Sequence, residues 1–97
     1  MDYLEKCFDK DPNIVSRIIA NEAVLVPIKQ NTGDIENVYI LNEVGVFIWE
    51  LIDGTKQLRK IKNMVIEKFD VNEEEAENDL YTFIGQLIEI GGISALE

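Results

Sequence analysis

The spacing of apolar residues changes at Leu41, and that change limits the fold more than any other feature of the chain. Upstream lie short runs rich in β-branched residues: Ile14 to Ile19 (IVSRII), Ala23 to Ile28 (AVLVPI) and Asn37 to Leu41 (NVYIL). Branched side chains pack well on a pleated surface and crowd the turns of a helix, so these runs predict strands. Downstream the period is helical. Val44, Phe47, Ile48, Leu51 and Ile52 recur at i, i+3, i+4, i+7 and i+8, one face of an α-helix. Strands followed by helices, without alternation, define an α+β chain rather than a parallel α/β one.

The connections agree with this order. Asn21-Glu22 predicts a tight turn and Asn31-Thr32-Gly33-Asp34 a second turn cluster, which makes a three-stranded antiparallel sheet over residues 14–41. Pro27 lacks an N–H, so its strand lies at an edge or ends there. Asn42 caps a helix over 43–53 that Gly54 ends, and Thr55 caps a second over 56–69 with Leu58, Ile61, Val65 and Phe69 inward. Asn72, with Glu75 three residues on, opens a third over 73–90 that Gly91-Gly92 stops. Ile93 to Leu96 reads equally as a strand or a tail. Ninety-seven residues hold one core, so 1–97 is read as a single domain with 1–12 as an N-terminal extension. The predicted core is Val24, Val26, Val44, Phe47, Ile48, Leu51, Ile61, Val65, Leu80, Phe83 and Leu87, with Trp49 at least partly buried. The architecture is winged helix-turn-helix-like, with the sheet first.

Composition then removes whole classes of chemistry. There is no His and a single Cys, Cys7. The chain therefore has no imidazole base, no usual zinc set and no internal disulfide, and no catalytic residue, metal ligand or cofactor is assigned. Cys7 reads as a minor thiol near a loose terminus. Nineteen acids against nine bases leave a net charge of −10, which disfavours phosphate backbones and anionic membranes as partners. Glu73, Glu74, Glu75, Glu77 and Asp79 read as a solvated face that complements the positive end of a helix dipole. They would also be the turns that a DNA-reading helix brings to phosphate. Lys56, Arg59, Lys60, Lys62 and Lys68, on the preceding helix, read as a surface for an acidic partner. The first residues carry neither a basic stretch nor an apolar one, so no signal peptide is read and the expected location is cytoplasmic.

The last helix has more apolar surface than it needs. Its set runs from Phe83, Ala76 and Leu87 through Leu80 and Ile84 to Ile88 and Tyr81, about half the circumference, against a stripe of ~100° for a typical surface helix. Tyr81, Ile84 and Ile88 form one flank and are the candidates for an exposed groove wall. The alternative is that the sheet covers the whole arc. An open sheet edge opposite such a groove would suit a peptide added as a strand.

Tyr39 to Gly54 (YILNEVGVFIWELIDG), Ile61, Phe69-Asp70-Val71 and Asp79 to Gly91 (DLYTFIGQLIEIG) together resemble the PqqD-like family. This is the pyrroloquinoline quinone biosynthesis protein D group, whose fold also serves as the recognition element for ribosomally made, modified peptides (RiPPs). Leu41-Asn42-Glu43-Val44-Gly45, Trp49 and Asp53-Gly54 match its central motif, and Asp79, Phe83-Ile84, Leu87 and Gly91 its last-helix pattern. The resemblance covers residues 14–93. It implies a non-catalytic chaperone that binds the leader of a precursor peptide and presents it to a modifying enzyme, often a radical S-adenosylmethionine enzyme. It places the peptide on Val38, Tyr39, Ile40 and Leu41, opposite Tyr81, Ile84 and Ile88. Departures are the N-terminal extension and Gly85 within the last helix, which lowers helix propensity by ~1 kcal/mol. Two other readings stand beside this one: a winged-helix DNA-binding or dimerising transcriptional regulator, and an assembly domain whose sheet edge pairs with itself. The oligomeric state, monomer or dimer, stays open.

Overall fold

A computed structural model describes residues 3–27 and 38–96. The turn cluster expected at Asn31–Asp34, and the strand ends expected at Ile28 and Asn37, lie outside the described residues. Within them, a 3-10 turn (Tyr3–Glu5) and strand β1 (Cys7–Lys10) precede β2 (Ile14–Ile19), β3 (Glu22–Pro27) and β4 (Tyr39–Leu41). Helices α1 (Glu43–Leu51), α2 (Leu58–Phe69) and α3 (Glu73–Glu89) follow, and β5 (Ile93–Leu96) closes the chain. The strands β2, β3 and β4 form one antiparallel sheet in that order, as the sequence predicts. The fold is α+β, a three-stranded antiparallel sheet with three helices.

The caps explain where α1 and α3 begin. Asn42 Oδ1 accepts from the Gly45 N–H at 3.0 Å, and Asn72 Oδ1 from the Glu75 N–H at 2.7 Å, each satisfying a donor that the first turn leaves unpaired. The start of α2 differs from expectation. Thr55 instead donates its hydroxyl to Asp53 (2.6 Å), and the first α2 N–H, that of Leu58, donates to the Lys6 carbonyl at 3.0 Å. The residue just before β1 thus caps the helix. Gly54 likewise serves a crossing rather than a helix end. Its φ is +83°, its N–H donates to the Phe8 carbonyl, and a Cβ there would meet the Leu96 side chain at 3.1 Å.

The N-terminal segment is no loose extension. In β1, Cys7 to Lys10 pair antiparallel with Leu96 to Ile93 of β5, so the first and last strands make a two-stranded ribbon of their own. Leu4 and Phe8 are buried in the common core. Burying them secures the segment, since each removes a large apolar side chain from water, worth roughly 1.5–3 kcal/mol.

The sheet packs on the opposite face from the one predicted. Ala23, Leu25 and Leu41 are buried, while Val24 and Val26 are only half-covered and Ile40 is 71% exposed. Both faces of β3 are apolar, so alternation could not choose between them. The junction chooses. Leu41 pairs with Ala23 and Tyr39 with Leu25, and these residues sit where the chain turns into α1. In α1 the buried set is Val46, Ile48, Trp49 and, at its end, Ile52, whereas Val44, Phe47 and Leu51 are half-buried. Ile61, Val65, Leu80 and Leu87 take the core places expected of them, and Phe83 is half-buried at the rim.

Candidate functional site

On one side β4 pairs with β3; on the other it has no strand neighbour among the described residues. Its free edge borders a cleft of about 290 Å³ between β4 and α3, lined by Tyr39, Ile40 and Leu41 from the strand and by Phe83, Gln86 and Leu87 from the helix. A second cleft, of about 350 Å³, continues it between α1 and α3, past Val44, Ile48, Asp79 and Thr82. Asn42, Gly45, Phe83 and Gln86 line both, so the two form one groove. Each half is at the small end of ligand pockets, ~300–1,000 Å³, and suits a few side chains rather than a large cofactor. At Gly45 a Cβ would approach the Leu41 Cβ to 3.1 Å, and the bare backbone there keeps α1 close to β4.

The helix wall of this groove is the opposite flank of α3 from the one singled out in the sequence. At 100° per residue, Phe83, Gln86, Asp79 and Thr82 lie on one side of the buried Leu80 and Leu87, and Tyr81, Ile84 and Ile88 on the other. Ile84 is fully buried and cannot wall an open groove in this state. Tyr81 is half-buried, its ring 6.1 Å edge-on from Tyr3, which in turn meets Phe8 at 6.0 Å. Ile88 is 39% exposed. The N-terminal segment therefore occupies the flank that the sequence left open. Of the strand residues expected at the site, Tyr39, Ile40 and Leu41 line the groove while Val38 is exposed and lines neither cleft, and Tyr81, Ile84 and Ile88 line neither. The signal for this flank was the i, i+4 spacing of Asp79 to Phe83 and of Thr82 to Gln86, and because Asp79, Thr82 and Gln86 are polar an arc of apolar residues registers only Phe83. Gly85 is exposed with open space around it and lines neither cleft.

The basic set on α2 and just before it is largely committed within the molecule. Lys56 pairs with Asp53 at 2.8 Å, Arg59 with Glu5, and Lys68 lies over the rings of Phe47 and Phe69. Lys62 is buried and reaches Glu73 at 2.9 Å and Glu77 at 3.6 Å. Its hydrogen bond to Glu73 holds the ammonium above the ordinary lysine range against the cost of burial, and the same bond holds Glu73 below the usual carboxylate range. Asp53 is held well below that range by Lys56 first and Thr55 second. These acids work as structure, and Glu73 is more than a solvated carboxylate at a helix start. Among the described residues no three potential ligands come together as a metal site, and no helix is long and apolar enough to cross a membrane.

The fold and the site together define a small α+β domain with an open strand edge beside a groove on its last helix. A family model described as coenzyme PQQ synthesis protein D (PqqD) matches residues 22–93, and the chain belongs to that family. Among solved structures it is similar to TbiB1 in complex with the TbiA(beta) leader peptide, with a TM-score of 0.75 and 25% identity. That match covers 92% of this chain and 98% of the other. Sequence comparison with curated proteins finds no match.

Proposed function

We propose that this protein is a non-catalytic recognition element, a single domain over 1–97 that binds the leader of a ribosomally made precursor peptide and delivers it to a modifying enzyme in the cytoplasm. The observation that carries the reading is the free β4 edge beside the Phe83–Gln86–Leu87 wall. Strand addition supplies main-chain hydrogen bonds there, and the groove supplies side-chain selection. PqqD family membership and the likeness to a leader-bound structure support it. A radical S-adenosylmethionine enzyme is the expected partner, on the resemblance stated above.

The test is NMR titration of the whole chain with leader peptides encoded near its gene. Amide shifts should gather on Tyr39–Leu41 and on Asp79–Leu87. Phe83→Ala should weaken binding at least about tenfold, as truncation of an interface anchor does, while Ile88→Ala leaves it unchanged. Shifts confined to α2 would sink the proposal.

A further inference from the structure

The two halves of the groove carry charge of one sign. Glu22 lines the β4 half and Asp79 the α1 half, and among the described residues no Lys or Arg lines either. Both carboxylates are exposed, and neither joins an ion pair among the described residues. Other acids of the molecule sit beside a cation: Asp53 pairs with Lys56, Glu5 with Arg59, and Glu73 and Glu77 share Lys62. Leu41 lines the half that Glu22 lines, and Phe83 lines both halves, so each acid borders the same groove as apolar side chains. Beyond them stands a net charge of −10, which repels an anionic peptide and draws in a cationic one at long range.

From this arrangement we infer that the groove selects a cationic peptide segment, with apolar side chains seated against Leu41 and Phe83 and a Lys or Arg reaching Glu22 or Asp79. The inference rests on the peptide-binding reading above and names the class of peptide. An extended strand advances about 3.3 Å per residue and turns alternate side chains to opposite faces. A segment with an apolar residue at every second position and a base near either end therefore satisfies both halves of the groove. Charge at such a rim governs partner choice and association rate more than total affinity.

Three capped synthetic peptides test it, each with Leu alternating with Gln and with Lys, Gln or Glu near both ends, titrated into the full chain by NMR. At ~50 mM salt the Lys peptide should bind at least about tenfold more tightly than the Glu peptide, and the gap should narrow by ~500 mM as charges are screened. The double variant Glu22→Gln/Asp79→Asn should bring the Lys, Gln and Glu peptides to within about threefold of one another at the same salt. A Glu peptide that binds as well as the Lys peptide overturns the inference and leaves peptide binding standing. So does a Lys preference that survives in the double variant, because the attraction is then to the acidic surface at large. If none of the three shifts the amides of β4 or α3, the peptide-binding reading falls, and this inference with it.

Discussion

Ile84 and Ile88 are one helical turn apart, yet their surroundings differ: Ile84 is fully buried, and Ile88 is 39% exposed. Truncating Ile84 to Ala leaves a void that the packed core only partly fills, a loss of ~2–5 kcal/mol. Truncating Ile88 removes contacts that solvent already interrupts, and should stay within ~1 kcal/mol. Urea unfolding of the two variants checks the phase of α3 directly. Equal losses would mean that the helix is rotated from the position described here. Phe83 illustrates the other half of the same point. Half-buried at the rim of the core, it belongs both to the packing and to the groove.

Elements are tied together here by contacts between neighbours that are distant in sequence. The ribbon of β1 and β5 is held to the core by Phe8, which is buried, and to the loop before α2 by the Gly54 and Leu58 N–H groups. Phe8→Ala should therefore cost ~3–5 kcal/mol, the range for a buried aromatic, measured by chemical denaturation. A loss below 1 kcal/mol would return the segment to the status of an appendage. The pair α2–α3 is linked by Lys62 and Glu73. Glu73 has its folded pKa lowered, so its contribution is present above the ordinary carboxylate range and is lost as pH falls through it. Lys62 has its pKa raised, so its share persists at neutral pH and disappears only above the ordinary lysine range. The melting temperature of Glu73→Gln should accordingly lie below that of the parent at pH 7, and the difference should shrink as pH is lowered through and below the ordinary carboxylate range. A gap that stays the same size over that descent would show that the variant acts through something other than this charge.

For the molecule as a whole, the order and type of the elements from Ile14 to Glu89 were legible in the sequence, because the apolar period and the capping residues Asn42 and Asn72 are local signals. The faces were not. Val24 and Val26 compete with Ala23 and Leu25 on near-equal terms, and only the Leu41–α1 junction, a tertiary feature, decides between them. The cleft lies on the other flank of α3 from Tyr81, Ile84 and Ile88 for a related reason. Which flank of α3 stays open depends on Tyr3 and the N-terminal segment, whose run CFDK carries one deeply buried residue and little strand signal. The charge was legible as a sum, and its distribution was not: Lys62, which reads as a surface base, is buried between two carboxylates.

Cys7 stands directly opposite Leu96 across the ribbon of β1 and β5. Paired strands bring such residues within about 5 Å of each other, so a segment read near the start of the sequence and one read near its close are zipped into a clasp around the helices. Closing so long a loop costs chain entropy that grows only slowly with its length, and each strand is the other's source of backbone partners, so shortening either one loosens both.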